Sequence, residues 1–247
     1  MNPITLSVII PIYNEEKRIK ETLNKISIFL RSQKIDFEII AVTNNCTDNT
    51  VQIVNQIKKE SIPEIIVIDI PRKGLVGNMK GYAIGVGMRQ ASGLFHIFID
   101  ADNATPFEQV VYFMDYINKG YDVVVGSRYV KGANVVKKQP LHRVLISRLG
   151  NIIIRVLLLP GIFDTQCGFK MFNKNASNII FSKTTLSGWG ADLEMLAIAR
   201  IFGLKIKEAP VIWEAQGDSA VRSHAFLYTL KELFVIRKNV KSGFYKK

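Results

Sequence analysis

Cysteine is scarce in this chain, with Cys46 and Cys167 the only two in 247 residues. The start "MNPITLSVII" has neither the basic flank nor the small-residue cleavage site of a secretory leader. A disulfide framework therefore has no basis, and both thiols are expected to be free. Long apolar runs are missing too. No stretch reaches the ~18 uninterrupted apolar residues of a bilayer-spanning helix, so a cytoplasmic location is expected. Gly/Ser-rich and Pro-rich linkers, low-complexity segments and solenoid periods are all absent. The expectation is thus one domain over 1–215 and an amphipathic helical tail over 216–247, packed on the domain or on a membrane surface. The three histidines, His96, His142 and His224, show no metal-ligand spacing, and His96, inside a strand-like run, reads as structural. Negative charge is in short supply: 33 Lys and Arg face 21 Asp and Glu, leaving +12. That balance favours polyanionic partners such as anionic lipid or phosphorylated substrates. Helix-turn-helix, RNA-recognition and zinc-finger patterns are lacking, so nucleic acid is not an expected partner.

Apolar residues are plentiful at 48%, enough for a large core. Runs rich in Val and Ile at 6–12, 37–43, 64–70, 94–100 and 121–127 predict strands, several apolar on both faces. Helical stripes lie between them, such as Ile19, Leu23, Ile26 and Leu30, then Val51, Val54 and Ile57. Strand–helix alternation predicts an α/β fold with a mostly parallel sheet flanked by helices, and such sheets bind ligands at the carboxyl ends of their strands. Four polar segments fall at those ends: "YNEE", "NNCTDNT", "DADNATP" and "GSR". One shared site is implied. Past residue 130 the alternation weakens, with a helix over 190–203 and a strand over 205–213.

Within "FIDADNATP" (98–106), Asp100 and Asp102 stand two positions apart where a strand runs out. Two carboxylates that close raise each other's pKa unless a positive charge lies between them. A hard divalent cation held by one or two carboxylates, with phosphate oxygens and water completing its shell, suits the pair; a solvated turn is the competing reading. "VIIPIYNEE" (8–16) ends a buried strand in Tyr13, Asn14, Glu15 and Glu16. A turn followed by an acidic first helical turn explains the two glutamates but not an aromatic ring, on which a flat base can stack.

Seven segments, "IPIYNEE", "VTNNCTDNT", "KGYAIGVGM", "DADNATP", "VVVGSRYVKGA", "DTQCGFKMF" and "GWGADLEML", occur in an order and spacing that resembles family-2 glycosyltransferases of the GT-A fold. Within these, the chain is similar to polyprenyl-phosphate hexosyltransferases, the dolichyl-phosphate glucosyltransferases and mannose synthases, from about residue 5 to 225. The resemblance implies a Rossmann-like nucleotide-binding half with Pro11, Tyr13 and Glu15 around the nucleobase. Where the family usually reads "DDGS" this chain has Thr43, Asn44 and Asn45. An amide oxygen on Asn44 can accept from a base N–H in place of the acid. Lys80 and Arg222 match residues near the donor diphosphate, and Asp100 and Asp102 match the metal ligands, with Mg²⁺ or Mn²⁺ as cofactor. Ala104 stands where mannose synthases carry a further glutamine ligand, so the glucosyltransferase pattern fits better.

The resemblance also implies an inverting transfer of a hexose, UDP-glucose being the favoured donor, to a polyprenyl phosphate. Arg128, Arg143 and Ser147 match contacts to the lipid phosphate, and Gln166 belongs to a signature shaping the acceptor side. For a hydroxyl acceptor Asp192 or Glu194 would be the first choice of general base; an anionic phosphate acceptor needs none, leaving Asp192 to orient a cation or the sugar. GDP-mannose transfer, transfer to a soluble sugar or protein hydroxyl, and a catalytically inert nucleotide-sugar binder stand as alternatives. The segment 141–163 carries Arg143, Arg148 and Arg155 among apolar residues and stops at Pro160-Gly161. It reads as a buried core helix or as a helix lying in the headgroup layer; entry of an isoprenoid chain and the net charge favour the latter.

Overall fold

The computed structural model describes residues 4–71, 79–137, 141–216 and 224–246, with side chains of 141–146 and 224–227 left out. The five expected strands form: β1 (Leu6–Ile12), β2 (Phe37–Asn44), β3 (Ile65–Ile70), β4 (Phe95–Ile99) and β5 (Val123–Ser127). Helices α1 (Ile19–Ser32), α2 (Thr50–Glu60), α3 (Lys80–Gln90) and α4 (Val110–Asn118) alternate with them. There follow β6 (Asn134–Lys137), α5 (Leu141–Leu157), β7 (Phe169–Asn173), α6 (Lys174–Phe181), α7 (Ala191–Ile201), β8 (Ile206–Pro210), β9 (Ile212–Glu214) and α8 (His224–Lys241).

Seven strands form one sheet in the order β3-β2-β1-β4-β7-β5-β8. All neighbours run parallel except β7, which is antiparallel to both β4 and β5. Alternate side chains of the same strand serve opposite layers, as pleating requires. Val8, Ile10 and Ile12 meet Leu23, Ile26, Val54 and Phe113 on one face. Ile9, Phe98, Val123 and Val125 meet Ala83, Ile180, Leu196 and Ile236 on the other. Burial on both faces explains why the strands read as continuous apolar runs. His96 is buried in β4, its ring nitrogens on Ser177 Oγ (2.8 Å) and Gly93 O (2.9 Å), a structural role as expected.

Two elements differ from the expectation. The strand over 205–213 is split: β8 ends the large sheet at Pro210, and β9 pairs with β6 in a separate two-stranded ribbon. Pro210 has no N–H to donate, which suits an edge strand, and Gln109 fastens the departing chain by accepting from Ile212 N (2.8 Å) and donating to Ile212 O (3.1 Å). The second is β7, within a motif that carries no alternating signal. Because it runs antiparallel, its beginning lies where β4 and β5 end. The segment "DTQCGFK" is thereby delivered to the ligand-binding edge of the sheet.

The helix in 141–163 divides its surface. Within α5, Gly150, Asn151 and Ile154 are buried, whereas Leu149, Ile152 and Val156 are exposed, Val156 at 76%; past its end Leu159 and Ile162 are buried and Phe163 is exposed. One stripe of the helix therefore faces the core and the other is exposed. No described helix is long and apolar enough to cross a membrane.

Candidate active site

Three asparagines shape the loops that leave β1, β2 and β4: Asn14, Asn45 and Asn103 have φ of 52°, 53° and 54°. This left-handed region is costly for most side chains, and asparagine tolerates it best after glycine. The first two loops are laced together. Thr47 N donates to Asn14 Oδ1 (2.8 Å), Glu15 N to Thr50 Oγ1 (2.8 Å), and Asn49 N to Glu16 Oε2 (3.0 Å). Tyr13 projects from this platform, 55% exposed, and Pro11 is the penultimate residue of β1. Glu15 is paired with Arg18 (2.9 Å); burial still pushes its carboxyl up, against the pull of Arg18. Among the described residues, Asn44 and Asn45 each carry a buried side-chain oxygen without a hydrogen-bond partner. An orphaned buried acceptor is costly, and both stand at the end of β2, where an approaching N–H group can satisfy them.

Asp100 and Asp102 follow β4. Asp102 Oδ1 accepts from Ala104 N (3.0 Å), and burial together with the Asp100 charge raises its pKa. The repulsion expected from the spacing is thus felt at Asp102. Lys80, the first residue of α3, reaches Asp100 Oδ1 at 2.6 Å. Burial alone would lower the lysine pKa, but Asp100, with Asp192 and Asp102 behind it, holds it well above its ordinary value. Gly168 lies under the Asp100 carboxylate so closely that any Cβ there would collide with it, and Gly168 O accepts from Asp100 N (3.1 Å).

The donor set of Asp100 and Asp102 is hard oxygen only. No group of three or more His, Cys, Asp or Glu gathers as a metal cage among the described residues. Two carboxylates with an open side fit Mg²⁺ or Mn²⁺ completed by phosphate oxygens and water, and do not fit structural zinc.

At the end of β5, Arg128 makes a fork with Asp164: Nε to Oδ2 at 2.7 Å, Nη2 to Oδ1 at 2.9 Å and backbone N to Oδ2 at 3.0 Å. Asp164 is wholly buried; despite burial, Arg128 holds its carboxyl below the usual range. The guanidinium faces the rings of Tyr129 and Trp213, 5.5 and 5.3 Å from their centroids, and Tyr129 OH meets Ser147 Oγ at 3.3 Å. Arg128 and Ser147, matched from separate motifs, are thus brought together. Gln166 is half-buried on the loop between Asp164 and β7. Arg143 falls in the first turns of α5, where side chains are outside the description, and Arg222 lies outside the described residues altogether.

Asp192 opens α7 in a buried ion pair with Lys170, which also donates to Cys167 O (2.7 Å). Glu194 accepts from Thr185 N (2.9 Å), Thr185 Oγ1 (2.6 Å), Leu186 N (2.9 Å) and Tyr245 OH (2.9 Å). Its oxygens are committed to holding a loop. Cys167 is buried, and burial and Asp164 push its thiol up to about 12, in keeping with a packing role. Sequence reasoning missed Lys170 and Trp189. Lys170 looks like a solvated strand residue until β7 is known to be central, and Trp189 lies under Lys80, whose Nζ is 5.4 Å from the ring centroid.

Comparison with known proteins bears on this arrangement. The model of the family described as glycosyl transferase family 2 matches residues 7–181. The chain is 31% identical to the dolichyl-phosphate beta-glucosyltransferase of Trichomonas vaginalis, an alignment covering 94% of this chain and 73% of the relative. Among solved structures, glucosyl-3-phosphoglycerate synthase from Mycobacterium tuberculosis in complex with phosphoglyceric acid superposes with a TM-score of 0.70 at 18% identity, over 95% of this chain and 80% of that one. A mannosyltransferase from Pyrobaculum calidifontis in complex with GDP-Man and Mn²⁺ gives 0.61 at 19% identity, over 96% and 63%. The fold is that of these GT-A enzymes.

Proposed function

This chain belongs to glycosyl transferase family 2, and from that premise we propose that it moves glucose from a nucleoside diphosphate sugar, UDP-glucose foremost, to a dolichyl-type polyprenyl phosphate at a membrane surface. The transfer inverts the anomeric centre in one displacement. The observation that carries this reading is the paired carboxylate of Asp100 and Asp102 with Lys80, at the carboxyl edge of the sheet, in a chain 31% identical to a dolichyl-phosphate beta-glucosyltransferase.

The residues divide the work. Tyr13 offers a face on which the base stacks, with Pro11 and Glu15 around it, while the orphaned oxygens of Asn44 and Asn45 accept from base N–H groups. Asp100 and Asp102 hold a divalent cation, which supplies charge neutralisation to the departing diphosphate. Lys80 adds a second positive charge on the same side, and Arg222 joins from its late-chain segment. Arg128 spends two of its five N–H groups on Asp164. The others, with Ser147, Arg143 and Gln166, orient the lipid phosphate. That nucleophile is already anionic near pH 7, so Asp192 need take no proton and acts through its pairing with Lys170. The exposed apolar residues of α5 and of α8 (Tyr228, Phe234, Val235), beside exposed Arg148, Lys231 and Lys238, suit an anionic headgroup layer.

The test is direct. The protein is incubated with UDP-glucose or GDP-mannose and a short polyprenyl phosphate, with and without chelator, and the glycolipid is identified. Product from UDP-glucose, lost on chelation, is expected; product from GDP-mannose alone overturns the donor assignment. Asp192→Asn separates phosphate from hydroxyl acceptors. It is expected to lower thermal stability, since Lys170 loses its counter-charge, while kcat of the folded enzyme falls less than about tenfold. Loss of a general base would cost roughly 10²–10⁴-fold.

A further inference from the structure

The loop between α6 and α7 is gripped by two carboxylates. Glu194 of α7 takes the amides of Thr185 and Leu186 at its start, and Glu232 of α8 takes Gly190 N at 2.6 Å at its end, its carboxylate lying against Gly188. The fit is close: a Cβ on Gly190 would come within 2.5 Å of Glu232 Cβ, and one on Gly188 would displace the Glu232 carboxylate from its place. Trp189 stands between them. The same loop is the seat of α3. Tyr82 N donates to Ser187 O (3.2 Å), and Gly81 lies so near that a Cβ there would meet Gly188 O at 2.8 Å and Leu186 O at 3.0 Å. Lys80 precedes Gly81, with its ammonium over the Trp189 ring and on Asp100.

Packing of α8 does not call for an acid at position 232. Leu233 and Ile236 already bury that face of the helix, and a half-buried carboxylate near the like charge of Glu194 is unfavourable unless its amide bonds offset it. We propose that Glu232 is a positioning residue: by holding the Gly188–Gly190 turn it sets Trp189 as the wall against which Lys80 is aimed at the donor diphosphate. The C-terminal helix is thereby part of the donor site without touching donor. This rests on the proposed nucleotide-sugar reading.

Trp189 and Trp213 are the only tryptophans, so in a Trp213→Phe background Trp189 emission reports the loop directly. Nucleoside diphosphate with Mg²⁺ is titrated against that background and against its Glu232→Ala and Glu232→Gln derivatives; donor and lipid KM are measured in otherwise unaltered chains. Glu232→Ala is expected to red-shift Trp189, weaken nucleotide binding and raise donor KM roughly 10- to 100-fold, the range for displaced positioning groups, with lipid KM unchanged. Glu232→Gln, keeping one acceptor oxygen, is expected to lie between. Should Glu232→Ala fail to fold, Trp189→Leu, which strands no buried charge, is expected to raise donor KM selectively. Unchanged emission and donor KM in folded Glu232→Ala, or unchanged donor KM in Trp189→Leu, overturns the proposal. Absence of nucleotide binding in the unaltered chain would instead overturn the functional reading, and this inference with it.

Discussion

Replacing Asp100 by Asn is expected to reduce kcat/KM for hexose transfer by at least about 10³-fold while leaving the fold intact. The change removes one of two cation ligands and the partner of Lys80 in the same stroke. Loss of one preorganised group facing developing charge costs roughly 10²–10³-fold, and here two positive charges lose their anchor. Stability should fall only modestly: the Asp100 side chain is 37% exposed, and although Lys80, at 16%, loses its direct partner, Asp192 and Asp102 remain to offset its charge. Asn is nearly isosteric, so the close fit over Gly168 survives. Radiolabelled hexose transfer to polyprenyl phosphate, beside a thermal melt, checks both halves. Retention of more than a tenth of the activity would remove Asp100 from the chemistry. Excess Mg²⁺ or Mn²⁺ should not rescue the variant, since the lysine is displaced as well as the ion.

How legible this site was in the sequence depended on whether its residues act within one segment or across several. Asp100 and Asp102 declare themselves because repulsion between near neighbours is a local property, and the strands because burial on both faces writes a continuous apolar run. The platform of Tyr13 was visible as an aromatic where a turn needs none. Lys170 was not. A lysine between Phe169 and Met171 reads as an edge residue facing water, and only the insertion of β7 between β4 and β5 buries it against Asp192. The same antiparallel insertion joins Asp164 to Arg128 and seats Gly168 under Asp100, so three ties to the site come from seven residues with no periodic signal. Glu232 and Gly190, 42 positions apart, lie beyond any spacing rule. Asn44 and Asn45 depart from the acidic pattern of the family, and their buried oxygens, unpartnered among the described residues, are consistent with the base-accepting role proposed for them.

The second large effect concerns stability. Arg128→Met is expected to cost on the order of 3–5 kcal/mol, the range for breaking a buried ion pair from one side, because Asp164 is left wholly buried with its charge uncompensated. For a chain of this size that corresponds to a fall in Tm of roughly 6–20 °C. Arg128→Lys should recover little, since an ammonium cannot reproduce the two-pronged bond. The pH dependence has a definite sign. The folded-state pKa of Asp164 is depressed, so its contribution is present above the unfolded carboxylate value and lost as pH falls through the folded one. Asp164→Asn should therefore flatten the acid side of the stability curve. The double variant Arg128→Met with Asp164→Leu separates support from recognition. Replacing both charges by apolar groups restores much of the stability, yet removes the guanidinium proposed to orient the lipid phosphate. A stable double variant with a raised lipid KM, sharply reduced transfer and unaltered nucleotide binding is the expected result. Recovery of activity along with stability would reduce Arg128 to a structural clamp.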